Sequence, residues 1–241
     1  MYTAGLRTDI AVSKVRKYAT RESGDTLEVI ERPLGGVSVV LADGQRSGRS
    51  AKHIATMVVR KVVALLAEGV RDGAAARAAA DYLYAERGGR VQATLNILSV
   101  DMASRTVVIT RNNPLPVFVL RAGELQRLDA ATQPVGVRRH TRPWVGEFPL
   151  EAGLWVLMFT DGLAHAGVRL GRTWDPGARF AHHARAASAS PRTVADALMA
   201  EALELDAGRA GDDISIVVLR LAPHPGHEPP IRVMDMHLPL V

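Results

Sequence analysis

The chain has 241 residues, 47% of them hydrophobic and 23% charged, with a net charge of +5 and no cysteine. That length can close a substantial core without covalent staples, and the missing thiols exclude a disulfide scaffold, zinc ribbons, iron–sulfur clusters and a cysteine nucleophile. All but four of the 30 basic residues are arginine, scattered and not interleaved with aromatics, so no nucleic-acid partner is expected.

The first residues lack the charged-then-apolar layout of a leader, and the longest apolar runs, such as 154–159, are too short to span a bilayer. A cytoplasmic protein without a membrane partner is therefore expected. Segments 10–18, 26–31 and 37–42 predict three strands, the last a continuous apolar run that reads as buried. Ile54, Val58, Val62 and Leu65 then share one face of a helix ending near Gly69, and the alanine-rich stretch 72–86 follows as a second helix stopped by Gly88 and Gly89. Strands return at 93–100, 106–110 and 117–121, with turns at Ser104 and at Asn112-Asn113-Pro114, and again at 144–149 and 154–160. A second helical pair covers 174–186 and 192–205, the latter introduced by Ser190 as N-cap and Pro191 at the first helical position. Segment 213–221 closes the domain as a strand. The order strand block, helix pair, strand block, helix pair, strand predicts an α/β class fold: a four-layer α/β/β/α sandwich of two antiparallel sheets flanked by helices.

One domain is expected over 8–221, then a Pro/His-rich tail over 222–241. That tail holds Pro223, Pro225, Pro229, Pro230 and Pro239 with His224, His227 and His237. Proline at that density cannot continue a helix or a central strand, so an extended arm or edge strand is expected.

Four acidic positions differ from the rest, because each borders glycine at the end of an apolar strand. Asp25 follows Gly24, Asp43 precedes Gly44, Asp161 precedes Gly162, and Asp212-Asp213 follow Gly211. A single Asp-Gly pair is an ordinary turn signal. Four of them at core-strand ends raise a different problem, since converging carboxylates repel unless a cation neutralises them. An all-oxygen set with no His or Cys suits hard divalent ions such as Mg²⁺ or Mn²⁺.

Ser23-Gly24-Asp25, Ala42-Asp43-Gly44-Gln45-Arg46-Ser47-Gly48, Phe159-Thr160-Asp161-Gly162-Leu163 and Gly211-Asp212-Asp213-Ile214-Ser215, in that order, resemble the motifs of metal-dependent protein phosphatases of the 2C type (PPM). The nearest branch is that of bacterial sporulation-stage-II-E and stress-response phosphatases, above all the small stressosome feedback enzymes. The resemblance runs from about residue 8 to 221 and includes Gln92–Leu98.

The resemblance implies two Mn²⁺ or Mg²⁺ ions and a serine/threonine phosphoprotein phosphatase that works through metal-activated water, with Asp43 and Asp161 as the catalytic pair. It implies metal ligation by Asp25, Asp43, the Gly44 carbonyl, Asp161 and Asp212, with Asp43 bridging and Asp213 set aside. The implied partner is a phosphorylated regulatory protein of the STAS, anti-sigma-antagonist type. The alternative is a non-catalytic relative that binds a phosphorylated regulator. One departure stands out: where the branch reads Asp-Gly-X-Gly-X-Gly, this chain has Arg46 in place of a glycine that supplies a positive φ or a close backbone approach. Arg46 and Arg49 are candidates for gripping substrate phosphate, as guanidinium forks do.

Overall fold

The computed structural model describes residues 5–224 and 231–239. Its strands are β1 (Gly5–Val15), β2 (Asp25–Glu31), β3 (Val37–Gly44), β4 (Ala93–Asp101), β5 (Thr106–Asn112), β6 (Val117–Arg121), β7 (Glu124–Leu128), β8 (Trp144–Pro149), β9 (Trp155–Phe159) and β10 (Ile214–His224). Its helices are α1 (Gly48–Ala67), α2 (Asp72–Arg87), α3 (Asp161–Ala164), α4 (Pro176–Ala184) and α5 (Pro191–Leu205). One sheet runs β1-β10-β9-β6-β7 and the other β2-β3-β4-β5-β8, every neighbouring pair antiparallel.

The apolar runs are continuous because both faces of the central strands are covered. In β3, Val39 and Leu41 point into the space between the sheets, where they meet Leu98, Ile109, Val156, Met158, Val217 and Leu219. The alternate residues Val40 and Ala42 point outward onto Ile54, Val58 and Val62 of α1 and onto the alanines of α2. β9 does the same in the other sheet: Val156 and Met158 face inward, while Leu157 and Phe159 face Phe180, Val194 and Leu198 of α4 and α5. Three apolar interfaces therefore separate four layers, as the period-two alternation of a strand requires. In α2, Ala75, Ala76, Ala79 and Ala80 are all fully buried, the small side chains letting that helix lie close against α1.

Several boundaries differ from those the sequence predicts. The first strand spans 5–15 in place of 10–18, because the chain turns away after Val15 and the Tyr18 N–H bonds to the Ala210 carbonyl. The strand β7 is not among those the sequence predicts: its residues are mostly exposed and polar, and it follows β6 through a two-residue turn in which Ala122 and Gly123 have φ of 49° and 81°. Helix α4 begins only at Pro176, where Asp175 caps the Gly177 and Ala178 amides. Ser190 and Thr193 complete a reciprocal capping box on α5, consistent with the expected N-cap.

β10 runs three residues past the expected end, to His224, pairing Pro223 with Leu6 of β1. Proline is tolerated there because β9 pairs with β10 only as far as Arg220, so Pro223 lacks a ladder neighbour on that side. Pro225, His227, Pro229 and Pro230 lie outside the described residues. Residues 231–239, including His237 and Pro239, have no regular structure, and Arg232 pairs with Glu31 at 3.1 Å. The Asn112-Asn113-Pro114 turn is held from within: the fully buried Arg111 donates to the Asn113 and Leu115 carbonyls, and the Asn112 amide donates to the Gln133 carbonyl. No helix among the described residues is long and apolar enough to cross a membrane.

Candidate metal centre

Four segments deliver acidic residues to one end of the sandwich. Asp25 opens β2 and Asp43 lies at the end of β3, and the two face each other in strand register. From the other sheet, Asp161 follows β9 at the first position of α3, and Asp212 and Asp213 precede β10. β9 and β10 are antiparallel neighbours, so the end of one and the start of the other lie side by side.

Hydroxyls stitch the two sheets together at this end. Thr160 Oγ1 donates to Asp25 Oδ2 at 2.9 Å and accepts from the Ser215 N–H at 2.9 Å. Ser215 Oγ donates to the same Asp25 oxygen at 2.6 Å. Lys14 Nζ and Lys52 Nζ both donate to the Asp25 backbone carbonyl, at 3.1 and 2.8 Å. Asp213 is engaged otherwise: its Oδ1 accepts the Lys17 N–H and its Oδ2 the Gly24 N–H, each at 2.8 Å. That carboxylate fixes the loop between β1 and β2 to the start of β10. Asp212 keeps an exposed side chain, with Lys17 Nζ at 3.6 Å.

The electrostatics register this crowding. Burial, then the charges of Asp25, Asp161, Asp212 and Asp213, push the Asp43 carboxyl up to about 9. Burial raises Asp25 to about 6, against the Ser215 and Thr160 hydroxyls and Lys14, which favour its charged form. Asp161 is raised as well, first by burial and then by Asp212, with His165 and the Gly162 N–H opposing. These carboxylates impose a cost on one another that a cation would offset.

The glycines of the motifs have a steric origin. A Cβ on Gly44 would stand 2.0 Å from the Ala51 carbonyl oxygen in the first turn of α1. One on Gly162 would stand 2.2 Å from the Asp213 carbonyl oxygen. In both places another backbone crosses directly against the residue that follows the aspartate.

The residues present fit divalent ions. Asp25 Oδ1 is buried without a hydrogen-bond partner among the described residues, although its sister oxygen has two. An anionic oxygen in that state asks for a positive partner, and the all-carboxylate donor set suits hard cations. As they stand, no three acidic or histidine side chains among the described residues are grouped tightly enough to enclose one ion. Ligation therefore requires these side chains to draw together.

Arg46 and Arg49 lie on the exposed loop beside Asp43 and at the start of α1, with no ion pair among the described residues. Arg46 has φ of 78°, the left-handed conformation that a glycine would adopt without cost. Arg46→Gly should therefore raise stability by about 1 kcal/mol, read as a higher urea midpoint at unchanged slope. A fall in the midpoint would mean that the arginine makes compensating contacts.

Sequence reasoning missed Thr160, Ser215, Lys14 and Lys52. The first two carried a signal, being hydroxyl residues beside an aspartate at the edge of an otherwise apolar strand. The lysines carried none, since their role depends on how β1 and α1 flank β2.

Comparison with known proteins shows what the chain as a whole resembles. Stage II sporulation protein E of Bacillus subtilis (strain 168) is 20% identical over 219 residues, covering 91% of this chain and 26% of that protein, so this chain spans about a quarter of its relative's length. The solved PP2C phosphatase domain of the cell fate determinant SpoIIE from Bacillus subtilis, with a fragment of its regulatory domain, superposes with a TM-score of 0.79 at 19% identity, over 92% of this chain and 65% of that one. RsbX in complex with magnesium gives 0.70 at 14% identity, covering 91% of this chain and 100% of that one. The catalytic domain of the serine threonine protein phosphatase PstP in complex with two manganese ions gives 0.68 at 14%, covering 90% and 100%. These likenesses establish the PP2C fold. The family model for Stage II sporulation protein E (SpoIIE) matches residues 33–222, from just past β2 almost to the end of β10. With most of its length matched, this chain belongs to the SpoIIE family.

Proposed function

We propose that this chain is a cytoplasmic, Mn²⁺- or Mg²⁺-dependent phosphatase that hydrolyses phosphoserine or phosphothreonine on a bacterial regulatory protein of the STAS type. The observation that carries this reading is that Asp25, Asp161 and Asp212, from three other segments, stand near enough to Asp43 to raise its carboxyl, while one buried Asp25 oxygen has no hydrogen-bond partner among the described residues. Family membership and fold relatives described with magnesium or manganese support it.

Asp43 would be shared between two ions, with Asp25 and the Gly44 carbonyl serving one and Asp161 and Asp212 the other. Bound there, divalent cations acidify water and neutralise charge on a phosphoryl group. The chain's own residues do the positioning. Thr160 and Ser215 hold one Asp25 oxygen and leave the other free, and Asp213 keeps the Gly24 turn against the start of β10. No side-chain nucleophile is required, in keeping with a chain without cysteine. Residues 231–239, which have no regular structure, lie outside this catalytic unit.

Asp161→Asn tests the assignment. Turnover of a phosphoserine protein with Mn²⁺ should fall by more than about a hundredfold, the loss seen when even an outer-shell partner of a metal is removed, with the far-UV circular dichroism unchanged. Undiminished turnover would refute the reading. A second reading, a module that holds a phosphorylated regulator without hydrolysing it, is favoured by the open spacing of the carboxylates and by Arg46 in the loop. Hydrolysis of para-nitrophenyl phosphate with and without Mn²⁺ separates the two, and a phosphorylated STAS protein does so more strongly.

A further inference from the structure

Next to the carboxylates, a cleft of about 150 Å³ opens between the turn after α3 and the loop before β10. Gly162, His165, Arg169, Asp206, Gly211 and Asp212 line it. It shares Asp212 and Gly162 with the proposed metal centre but includes neither Asp25 nor Asp43, so it lies to one side of that centre.

The cleft has fixed walls. Asp206, at the end of α5, is buried, and its two carboxylate oxygens accept the Gly167 and Gly211 N–H groups at 2.8 and 2.7 Å. One carboxylate thus ties the turn that carries Arg169 to the loop that carries Asp212, and both of its oxygens are engaged in doing so. Arg169 sits in a 3₁₀ turn, Val168–Leu170, bounded by Gly167 and Gly171, both at positive φ. Its stem crosses Gly211 so closely that a Cβ there would stand 3.1 Å from Arg169 Cδ and 3.7 Å from Nη1.

Arg169 makes no ion pair and no side-chain hydrogen bond among the described residues, although two aspartates line the same cleft. Asp206 is already occupied by amides, and Asp212 has Lys17. A guanidinium held on a pinned turn and left unpaired is a ready fork for a carboxylate. The volume, several times the ~30 Å³ share of one water molecule, admits a single side chain.

We infer that this cleft is a specificity subsite in which Arg169 takes a carboxylate side chain of the substrate polypeptide close to the phosphorylated residue. This deepens the phosphatase reading and rests on it. Asp212 lines the cleft and belongs to the proposed metal centre, and Gly162, which follows Asp161, lines it too, so a phosphoserine held at that centre would bring its neighbouring residues to the cleft. Arg169 is a substrate-binding residue and takes no part in the bond breaking.

The test uses the full chain with Mn²⁺ and three phosphoserine peptides that differ only in carrying Glu, Ala or Lys beside the phosphoserine. The parent should favour the Glu peptide over the Ala peptide by about tenfold in kcat/KM, mostly through KM, as one charge-assisted pair provides. Arg169→Ala should bring that preference down to about twofold or less, and Arg169→Glu should turn it towards the Lys peptide, with Mn²⁺ binding by calorimetry unaltered in both. Equal rates on the Glu and Ala peptides by the parent, or an undiminished Glu preference in Arg169→Ala, would overturn the inference. A lower kcat on all three peptides with preference intact would also overturn it, placing Arg169 on the phosphoryl group. If the parent hydrolyses neither peptides nor para-nitrophenyl phosphate, the phosphatase reading itself has failed and takes this inference with it.

Discussion

Asp43→Asn should give a metal-free protein that melts at a higher temperature than the parent at neutral pH and above, yet has lost Mn²⁺-dependent hydrolysis of a phosphoserine protein. Asp43 faces Asp25 across the ladder, and burial together with four neighbouring acids lifts its carboxyl to about 9. The folded state therefore holds a proton that the unfolded chain releases near the ordinary value of 3.8. A group raised in this way contributes its full stability at pH below that ordinary value, and the contribution drains away as the pH rises towards the folded value. Asp25 adds a narrower window that closes near 6.

The metal-free parent should therefore lose stability from acid to mildly basic pH. Asp25 alone contributes about 3 kcal/mol to that loss, or roughly 6–12 °C in Tm for a chain of this size. Asparagine keeps the shape and removes the charge, so the slope of Tm against pH should become shallower in the variant. Mn²⁺ should raise the Tm of the parent most at high pH, and that of the variant much less. Thermal melts in chelator and in Mn²⁺ across the pH range read all of this. A variant that melts lower than the parent, with the same pH slope, would show that Asp43 is not under charge repulsion.

Gly44→Ala should be the most damaging glycine-to-alanine change among the described residues. The added Cβ would meet the Ala51 carbonyl oxygen at 2.0 Å, its carbon at 2.7 Å and the Cα at 3.0 Å, all backbone atoms that no rotamer change can move. Relief requires α1 to back away, which opens the contacts of Ile54, Val58 and Val62 with β3 and β4. A loss above about 4 kcal/mol is expected, enough to leave little folded protein. Gly48→Ala is the control: Gly48 has φ of 67° and nothing within 4 Å of the point where a Cβ would stand, so only the backbone cost of about 1 kcal/mol applies. Equal urea midpoints for the two variants would show that the approach of α1 is not what demands glycine at position 44.

The legibility of this protein in its sequence follows from which forces act locally. The four-layer arrangement could be read because β9 is apolar throughout and β3 carries the unbroken run Val39–Ala42, which only a sheet covered on both faces permits, and because the helix pairs have their own period. β7 could not be read, since an exposed edge strand carries no burial signal. The acids at 25, 43, 161 and 212 stood out because each stands at one end of a strand beside glycine, yet their approach depends on the stacking of two sheets. The family resemblance sets Asp213 aside as a ligand. In the structure both Asp213 oxygens accept the Lys17 and Gly24 amides, from residues nearly two hundred positions away, which no local pattern reveals. Arg169 and its cleft gave no sequence signal, because their geometry is set by Asp206.

The pairing of β1 with β10 along eleven residues, from Gly5 with His224 to Val15 with Ile214, has a kinetic consequence. Contacts joining segments so far apart in sequence carry a large loop-closure entropy and form late. During synthesis, the stretch bearing Asp25, Asp43 and Asp161 leaves the ribosome well before the segment with Asp212 and its hydroxyl-bearing successor Ser215. The acidic cluster is therefore incomplete until β10, which directly follows Asp212 and Asp213, docks beside β9.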